Sequence, residues 1–347
     1  MQKHRNGSTG SYADEPAMAS VHAERRRAVS PLRRLTTRAL RVPVVNDAAR
    51  RIAAVRGRSL ALVYHRVAPD GSRPSWLVPS LPEALFRRQL QALGELGEIV
   101  PVTELAAPHD RQRRNRFALT FDDDYQTHAD CVLPVLTTLG VHGTFFLSGR
   151  SLHGLGPYWF ELLEWLIDTH GLDDVAGRLG LDSCSPMELA LACERDPQQQ
   201  MLLEQTAEQP PAHVRRDQIQ ALAATMTIGF HTLHHRALPV LPDDALARAL
   251  TEGRHDLTTV AGHPLRLFAY PHGKGDHRVA ARVRAAGYTA AWTGLPNAIR
   301  SSDDRFLLGR WEPGSLEVDD FLVKLAVRLL RSPPRAPAEV EGGDGDA

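Results

Sequence analysis

Three consecutive carboxylates, Asp122, Asp123 and Asp124, follow the apolar segment 117–121. Large apolar side chains alternate with smaller residues in this segment, which predicts a buried strand. Functional sites of parallel α/β folds are built where the strands end, so these carboxylates occupy a favourable place for chemistry. Adjacent carboxylates repel one another unless a cation or a positively charged partner is near. The stretch therefore indicates either a cation-dependent site or a polar turn that only closes the strand.

A second polar stretch, 229–235, follows another short apolar segment and contains three histidines. His231 and His235 are four residues apart, so one helical turn would place both imidazoles on the same side. Two histidines and one carboxylate are a common ligand set for a catalytic divalent metal and leave one position open for water. A histidine-rich turn alone is also typical of a protein surface. Together with Asp122 and Asp123 at another strand end, the pair favours a metal site.

Two of these stretches resemble motifs of a known family. Residues 120–123 (Thr-Phe-Asp-Asp) and 231–235 (His-Thr-x-x-His) resemble the first two motifs of the polysaccharide deacetylases, carbohydrate esterase family 4. Further segments resemble other parts of the same family, in the same order along the chain: 62–67, 141–146, 268–273 and 287–291. The resemblance extends from about residue 59 to 312, apart from a helical insertion, and implies a distorted (β/α) barrel.

The resemblance implies a division of roles among the motif residues. Asp123, His231 and His235 would hold a divalent metal, usually zinc, and Asp122 would be the general base. Such a base can take the proton of a water that a cation has made more acidic. Thr232 would tie the histidine turn to its loop.

The third motif, which includes Tyr270 as a supporting residue, would supply an oxyanion donor. The residue before Gly273, which is His272 here, would offer its backbone N–H to the developing negative charge. The family more often has tyrosine at this position, but a backbone donor tolerates the change.

The sequence departs from the family at three places. Asp124 replaces a glycine, so the turn has to form without glycine's freedom at positive φ. Ala269 stands where many members have an arginine that orients the base, and Arg310 near another strand end is the candidate to replace it. The late motif that normally supplies the catalytic acid is absent, since no histidine follows His277. The candidate acids are His65, at the end of the first predicted strand, and His272. The alternative for His65 is a purely structural hydrogen bond to a loop.

Strand and helix patterns alternate along the chain, which predicts a parallel sheet, either a barrel or a doubly wound sheet. About seven strand candidates between residues 59 and 310 favour an incomplete barrel. Residues 155–224 read as a mostly helical insertion, because polar and proline-rich pieces interrupt them. The predicted strands are 59–64, 99–102, 117–121, 143–147, 227–230, 265–270, 288–292 and 306–308. The predicted helices are 82–96, 128–139, 158–169, 186–206, 214–224, 243–260, 276–286 and 318–330. Trp292 and Trp311 could form a sugar platform or belong to the core.

The domain prediction places a basic arm at 1–57, the barrel with its insertion at 58–331 and a disordered tail at 332–347. The arm is strongly basic, with 13 Lys and Arg against 4 Asp and Glu in residues 1–60. Two interpretations of it remain: weak contact with an anionic membrane surface, or a solvated arm, which is the favoured one.

Composition excludes several classes of protein. The chain is 43% hydrophobic and 24% charged with a formal net charge of zero, so no nucleic-acid partner is predicted. There is no apolar run of the length of an export signal or a membrane span. The three cysteines match no zinc or redox spacing and are interpreted as reduced thiols. A cytoplasmic location is therefore expected.

The sequence predicts a metal-dependent hydrolase that removes N-acetyl groups from amino sugars of a glycan or glycoconjugate. A catalytically weak or inactive barrel that binds carbohydrate is the alternative from another class, and the missing acid motif favours it. Hydrolysis of another C–N amide bond at the same site is a nearer alternative.

Overall fold

The computed structural model describes residues 57–72, 75–78, 80–106, 114–181, 185–206 and 212–330. The predicted arm, apart from Gly57, and the predicted tail lie outside these residues. The described residues fall into two compact units, which are the barrel unit, 57–157 and 212–330, and the helical unit, 158–206.

The barrel unit is built on a parallel sheet. Its strands are β1 (Ser59–Tyr64), β4 (Gly97–Ile99), β5 (Asn115–Asp122), β6 (Gly143–Leu147), β7 (Thr227–Phe230), β8 (Leu267–Ala269), β9 (Ala290–Trp292) and β10 (Arg310–Trp311). Seven of them follow one another in the order β10-β1-β5-β6-β7-β8-β9, and β4 pairs with β5. The amide of Thr293 donates to the carbonyl of Leu308, two residues before β10, at 2.7 Å. The nearly closed seven-strand sheet confirms the predicted barrel.

The two faces of the sheet bury different side chains. Leu62, Leu119 and Phe145 pack in one cluster with apolar residues of the surrounding helices. Small residues of β1 and β5 share a second cluster with Phe146 and Trp292. Trp292 and Trp311 are both buried, so they belong to the core and form no sugar platform.

Helices follow the strands as the alternating pattern predicts. Those of the barrel unit are α1 (Glu83–Leu96), α2 (Val102–Leu105), α3 (Leu133–Leu139), α8 (Arg216–Thr225), α9 (Asp243–Ala249), α10 (Arg254–Ala261), α11 (His277–Ala285) and α12 (Val318–Leu330). A π-helix, His128–Val132, precedes α3, and short 3₁₀ turns occupy Arg150–His153, Leu238–Val240 and Pro271–Gly273. A small two-stranded pair, β2 (Arg66–Ala68) and β3 (Ser80–Pro82), precedes α1.

The helical unit contains α4 (Trp159–His170), α5 (Leu172–Arg178), α6 (Pro186–Arg195) and α7 (Pro197–Thr206). The prediction of a single helix over 186–206 is wrong, because two helices, α6 and α7, occupy this range. Pro197 has no amide hydrogen and disfavours helical backbone before it, and Asp196 is accordingly extended at φ −119° and ψ 108°. The helix predicted at 214–224 is observed as α8, but it belongs to the barrel unit and not to the insertion.

Other boundaries differ from the prediction as well, and three of these elements are changed most. The helix predicted at 243–260 divides into α9 and α10, because Gly253 between them is left-handed at φ 76°. The strand predicted at 99–102 is centred two residues earlier, as β4. Residues 304–307 form a turn closed by Asp304, so 306–308 contribute only an isolated bridge at Leu308.

Every helix in the described part of the chain is too short or too polar to span a bilayer.

Candidate active site

Parallel register brings the two polar motifs to the same end of the barrel. Asp122 is the last residue of β5 and pairs with Phe146 of β6, which pairs in turn with Gly229 of β7. A Cβ atom at Gly229 would lie 2.4 Å from Cδ1 of Phe146, so only glycine fits there. The amide of His231 then donates to the carbonyl of Leu147 at 3.0 Å, which extends the pairing to the first histidine.

Asp123, His231 and His235 converge on one point. Oδ1 of Asp123 lies 3.7 Å from Nε2 of His231 and 3.5 Å from Nε2 of His235. All three residues are buried, and their donor atoms lie within 4.8 Å of one another. Ligands about 2.0–2.2 Å from one tetrahedral ion are separated by roughly 3.3 Å, so this spacing is close to that of a zinc site. Among the described residues, this is the one group of three His, Cys, Asp or Glu side chains placed closely enough to hold a metal ion.

The protonation states also suit a metal. Nδ1 of His231 lies 2.9 Å from the carbonyl oxygen of Ala269, which only accepts, so Nδ1 carries the proton and Nε2 presents a lone pair. Burial lowers the pKa of His231 and lowers the pKa of His235 well below its usual value. Both imidazoles are therefore neutral, which is the form that binds metal.

The histidine turn is not helical, unlike the turn that the spacing predicted. Thr232 and His235 both have left-handed backbone, at φ 63° and 50°, and these conformations bring the two imidazoles together. The buried Oγ1 of Thr232 has no hydrogen-bond partner among the described residues, so the predicted tie between this hydroxyl and its loop is not formed.

Asp122 faces a different partner from its neighbour. Arg310 donates from Nη1 to Oδ1 at 2.6 Å and from Nη2 to Oδ2 at 2.7 Å, and Nη1 also donates to Oγ1 of Thr120. Oδ2 of Asp122 lies 3.9 Å from Nε2 of His231. Burial alone would raise the pKa of Asp122, but the charge of Arg310 and its hydrogen bonds outweigh burial and lower it. Asp122 is therefore ionised beside the three candidate ligands.

Asp123 has the positive φ, at 71°. The sequence analysis expected this strained conformation at Asp124, because Asp124 stands where the family has glycine. Asp124 instead anchors a neighbouring loop, because its Oδ1 accepts from the amide of Ser148 at 2.8 Å and its Oδ2 from the amide of Arg150 at 2.9 Å. Nη1 of Arg150 donates to the carbonyl of Leu233, in the middle of the histidine turn, at 3.2 Å. The third carboxylate thus holds a loop that itself holds the histidine turn.

His65 lies at the end of β1 beside an acidic residue. Its Nδ1 is 2.9 Å from Oε1 of Glu312, which follows β10, the neighbouring strand. Burial would lower the pKa of His65, but the charge of Glu312 and its hydrogen bond, with smaller contributions from Asp123 and Asp122, raise it to about 9. His65 is therefore protonated at neutral pH.

The other two predicted residues have structural partners. Nε2 of His272 donates to the carbonyl of His235 at 3.0 Å, and its ring lies 4.4 Å from the ring of His235. Tyr270 is buried and donates its hydroxyl to the carbonyl of Phe306 at 2.6 Å. Tyr270 therefore holds the loop before β10 and presents no free hydroxyl to the site.

The sequence analysis did not anticipate Glu312, Arg150 or His128. His128 is buried in the π-helix, and its Nε2 donates to the backbone carbonyl of Asp122 at 3.0 Å. Burial lowers the pKa of His128 to about 4, so it is neutral. Glu312 could have been found, because it lies two residues after Arg310, which the sequence analysis already placed near a strand end. Arg150 and His128 act through backbone carbonyls, which leave no trace in the pattern of residue types.

Comparison with known protein families shows to which family this chain belongs. Residues 109–291, more than half of the chain, match the family model described as polysaccharide deacetylase. The chain belongs to the polysaccharide deacetylase family. It is a hydrolase that removes N-acetyl groups from the amino sugars of a glycan. A search of curated proteins gave no match.

Solved structures of low sequence identity share the fold. The deacetylase PplD of Streptococcus pyogenes, solved in complex with acetate, has a TM-score of 0.55 at 14% identity, over 78% of this chain and 99% of that one. IcaB of Ammonifex degensii has a TM-score of 0.50 at 20% identity, over 78% of this chain and 96% of that one. A polysaccharide deacetylase from Bacillus cereus has a TM-score of 0.51 at 14% identity, over 78% of this chain and 69% of that one.

Proposed function

We propose that this deacetylase works with a divalent metal, most favourably zinc, held by Asp123, His231 and His235, with Asp122 as general base and His65 as general acid. The observation that carries the proposal is the pairing of two adjacent carboxylates with different partners. Asp123 faces two neutral imidazoles, whereas Asp122 is held by Arg310. A site that only bound metal or sugar would have no use for an ionised carboxylate fixed beside the ligands.

The donor set favours zinc over the harder cations. Two imidazole nitrogens and one carboxylate oxygen are typical ligands of catalytic zinc, whereas magnesium and calcium prefer oxygen alone. A bound divalent cation polarises the acetyl carbonyl and lowers the pKa of the attacking water.

Asp122 then takes the proton of the attacking water. Its low pKa keeps it ionised, and the two bonds from Arg310 fix the plane of the carboxylate before the water arrives. The backbone N–H of His272 is the donor proposed for the oxyanion, as the family motif implies.

His65 supplies the second proton. An amide nitrogen leaves as a neutral amine only when it is protonated, because an amide anion is a very poor leaving group. The pKa of His65 near 9 keeps the proton available at neutral pH, and Glu312 orients the ring. Hydrolysis thus gives acetic acid and the free amine, which become acetate and an ammonium ion at neutral pH. Asp122 loses the proton that it took from water and His65 regains one, so both groups return to their starting states before the next turnover.

Three expectations from the sequence stay predictions. They are the cytoplasmic location, the absence of a nucleic-acid partner and the weak contact of the basic arm with a membrane surface.

The decisive experiment combines metal analysis with acetate release from N-acetylated oligosaccharides, on the purified full chain. We expect about one zinc per chain and acetate release that a chelator abolishes and zinc restores. His235→Ala should lose metal and activity together, whereas Asp122→Asn should keep metal and lose on the order of 10²–10⁴ in rate. Stoichiometric metal in His235→Ala would refute the ligand assignment. Bound metal without acetate release by the unaltered protein would favour the inactive carbohydrate-binding alternative.

A further inference from the structure

Asp122 and Asp123 are adjacent at the end of β5, where a regular strand would turn their side chains to opposite faces of the sheet. Thr120 and Asp122 both accept hydrogen bonds from Arg310, so these two side chains share one face. Phe121 packs in the apolar cluster of the other face, which includes residues of the surrounding helices. Continued alternation would therefore place the Asp123 side chain on the side of Phe121, away from the carboxylate of Asp122.

The observed turn brings both carboxylates to one imidazole instead. Oδ2 of Asp122 lies 3.9 Å from Nε2 of His231, and Oδ1 of Asp123 lies 3.7 Å from the same nitrogen. The alternation ends at Asp123, whose backbone is left-handed at φ 71°. A non-glycine residue keeps such a conformation where the surrounding structure holds it. The orientation of the peptide between Asp122 and Asp123 therefore decides where the second carboxylate points.

His128 binds that peptide. Its Nε2 donates to the carbonyl oxygen of Asp122 at 3.0 Å, and because a carbonyl only accepts, Nε2 carries the proton. Nδ1 of the same ring is buried and has no hydrogen-bond partner among the described residues. Within the described ranges, the carbonyl of Asp122 is thus the hydrogen-bond partner of this imidazole.

Packing holds the His128 ring in place. The residue is 0% exposed and begins the π-helix. The rings of Phe121, Tyr125 and Phe145 surround it edge to face, with centroids 5.9, 5.8 and 5.4 Å from its own. A side chain whose rotamer is locked by packing presents its N–H in one direction, as a group that supports a functional site must. The π-helical turn is itself a feature found frequently at functional sites.

We propose that His128 is a positioning residue for both carboxylates, because its bond to the carbonyl of Asp122 fixes the peptide that turns Asp123 to the side of Asp122. Without this bond the peptide can rotate, and the Asp123 carboxylate moves away from the two histidines. The proposal rests on the proposed function, in which Asp123 holds the metal and Asp122 takes the proton of water. His128 itself touches neither the metal nor the substrate and acts through the backbone.

His128→Gln and His128→Met separate the hydrogen bond from the packing, because the two new side chains have similar shapes and only the amide can donate. His128→Met should bind Co²⁺ about 10–100-fold more weakly than the unaltered full chain. At saturating Co²⁺ its visible spectrum, which reports the ligands around the ion, should change, and kcat for acetate release should fall on the order of 10²-fold. His128→Gln should restore the affinity, the spectrum and kcat toward the unaltered values.

Val132→Ala is the matched control for loss of packing. Val132 is 0% exposed in the same π-helix and lies in the apolar cluster. Its truncation should lower the free energy of unfolding and leave the Co²⁺ spectrum and kcat unchanged. If His128→Met does not fold, His128→Leu takes its place. An unchanged spectrum and kcat in the variant without the donor, no rescue by His128→Gln, or equal changes in Val132→Ala would overturn the proposal.

A further measurement is made on the unaltered chain. ¹⁵N NMR of the imidazoles distinguishes a proton on Nε2 from one on Nδ1, and the His128 signal is assigned by its absence from His128→Gln. We expect the Nε2–H tautomer with and without metal, and a proton on Nδ1 would overturn the proposal whatever the other variants do. Failure of the proposed function appears differently, as an unaltered chain that binds no Co²⁺, and it would overturn this inference as well.

Discussion

Arg310 holds both oxygens of Asp122, at 2.6 Å and 2.7 Å, although the two residues are 188 positions apart in the sequence. Both side chains are buried, at 2% and 3% exposure. A bidentate contact of this kind fixes the orientation of the carboxylate and also stabilises its ionised form. Asp122 can therefore be an ionised base inside the protein, where burial alone would favour its neutral form.

Replacing Arg310 with lysine separates charge from orientation. Lysine keeps the positive charge but cannot reach both oxygens in one plane. Arg310→Lys should therefore lower kcat on the order of 10²-fold, since small misplacements of a reacting group are that costly, and leave metal content unchanged. Acetate release and metal analysis on the same preparation check this, and loss of metal would show that Arg310 supports the ligands instead.

Removing the guanidinium should also move the pH–rate profile. Arg310 lowers the pKa of Asp122, so in Arg310→Gln this pKa rises. The base must be ionised, and the acidic limb of the profile should therefore move to higher pH. Arg284→Gln, a change at a largely exposed ion pair with Asp304, is the control. An acidic limb that stays in place in Arg310→Gln would mean that another group titrates there.

Asp124 should matter for metal affinity rather than for proton transfer. Its two oxygens hold the amides of Ser148 and Arg150, and Arg150 holds the carbonyl of Leu233 between the two histidines. Asp124→Asn can keep only one of the two acceptors, and Asp124→Gly, the residue more usual in the family, keeps neither. We expect both variants to bind zinc about 10–100-fold more weakly, as changes behind metal ligands typically do.

Competition with a chromophoric chelator measures this affinity directly. Asp174→Asn is the matched control, because Asp174 is a half-exposed carboxylate that pairs with Arg178 on α5 of the helical unit. The metal-saturated Asp124 variants should keep most of their rate. Unchanged zinc affinity in Asp124→Gly would show that the loop holds its place without this carboxylate.

The pattern of apolar and polar residues was sufficient to predict a parallel sheet, and the number of strands together with the family resemblance favoured a barrel. A polar residue lies at or directly after the end of each of the seven strands, and parallel pairing brings those ends together. Asp122, Asp123, His231 and His235 could therefore be placed at one site. Such inference works because burial imposes a period on the sequence.

The sequence pattern could not predict which side chains contact each other, or contact backbone carbonyls, across long distances in the chain. Arg310 could be named as a candidate but not distinguished from other arginines, because its place depends on the strand order, in which β1 lies between β10 and β5. The left-handed residues at Asp123, Thr232 and His235 have no sequence signal, since each is a non-glycine residue held by its surroundings. The helix breaks after Arg195 and Ala249 span only one and four residues, and periodicity averages over such short interruptions.

Tyr270 should contribute to stability and not to catalysis. Its hydroxyl donates to the buried carbonyl of Phe306 at 2.6 Å. Tyr270→Phe leaves that carbonyl without its partner, so the free energy of unfolding should fall by about 1–3 kcal/mol. Denaturant melts of the metal-loaded protein measure the change. A normal melt with a large loss of kcat would instead give the hydroxyl a place in the reaction.

Glu312 should set the pH at which His65 loses its proton. If His65 is the proposed acid, the rate should fall as pH rises through its pKa, which lies near 9. Burial by itself lowers this pKa, and the charge of Glu312, 2.9 Å from Nδ1, is the largest contribution that raises it. Glu312→Gln removes that charge, and the basic limb of the pH–rate profile should therefore move to lower pH.

His65→Gln tests the same assignment from the other side. It should lower kcat by roughly 10²-fold or more, in the range of general acid catalysis, with metal content unchanged. The pH dependence attributed to His65 should disappear, so adding Glu312→Gln to His65→Gln should cause no further shift of the basic limb. Glu317→Gln, at an exposed pair with Arg88, is the control for loss of a carboxylate from the same loop. If the double variant still shifts the basic limb, Glu312 acts on another titrating group, and His272 becomes the acid to test.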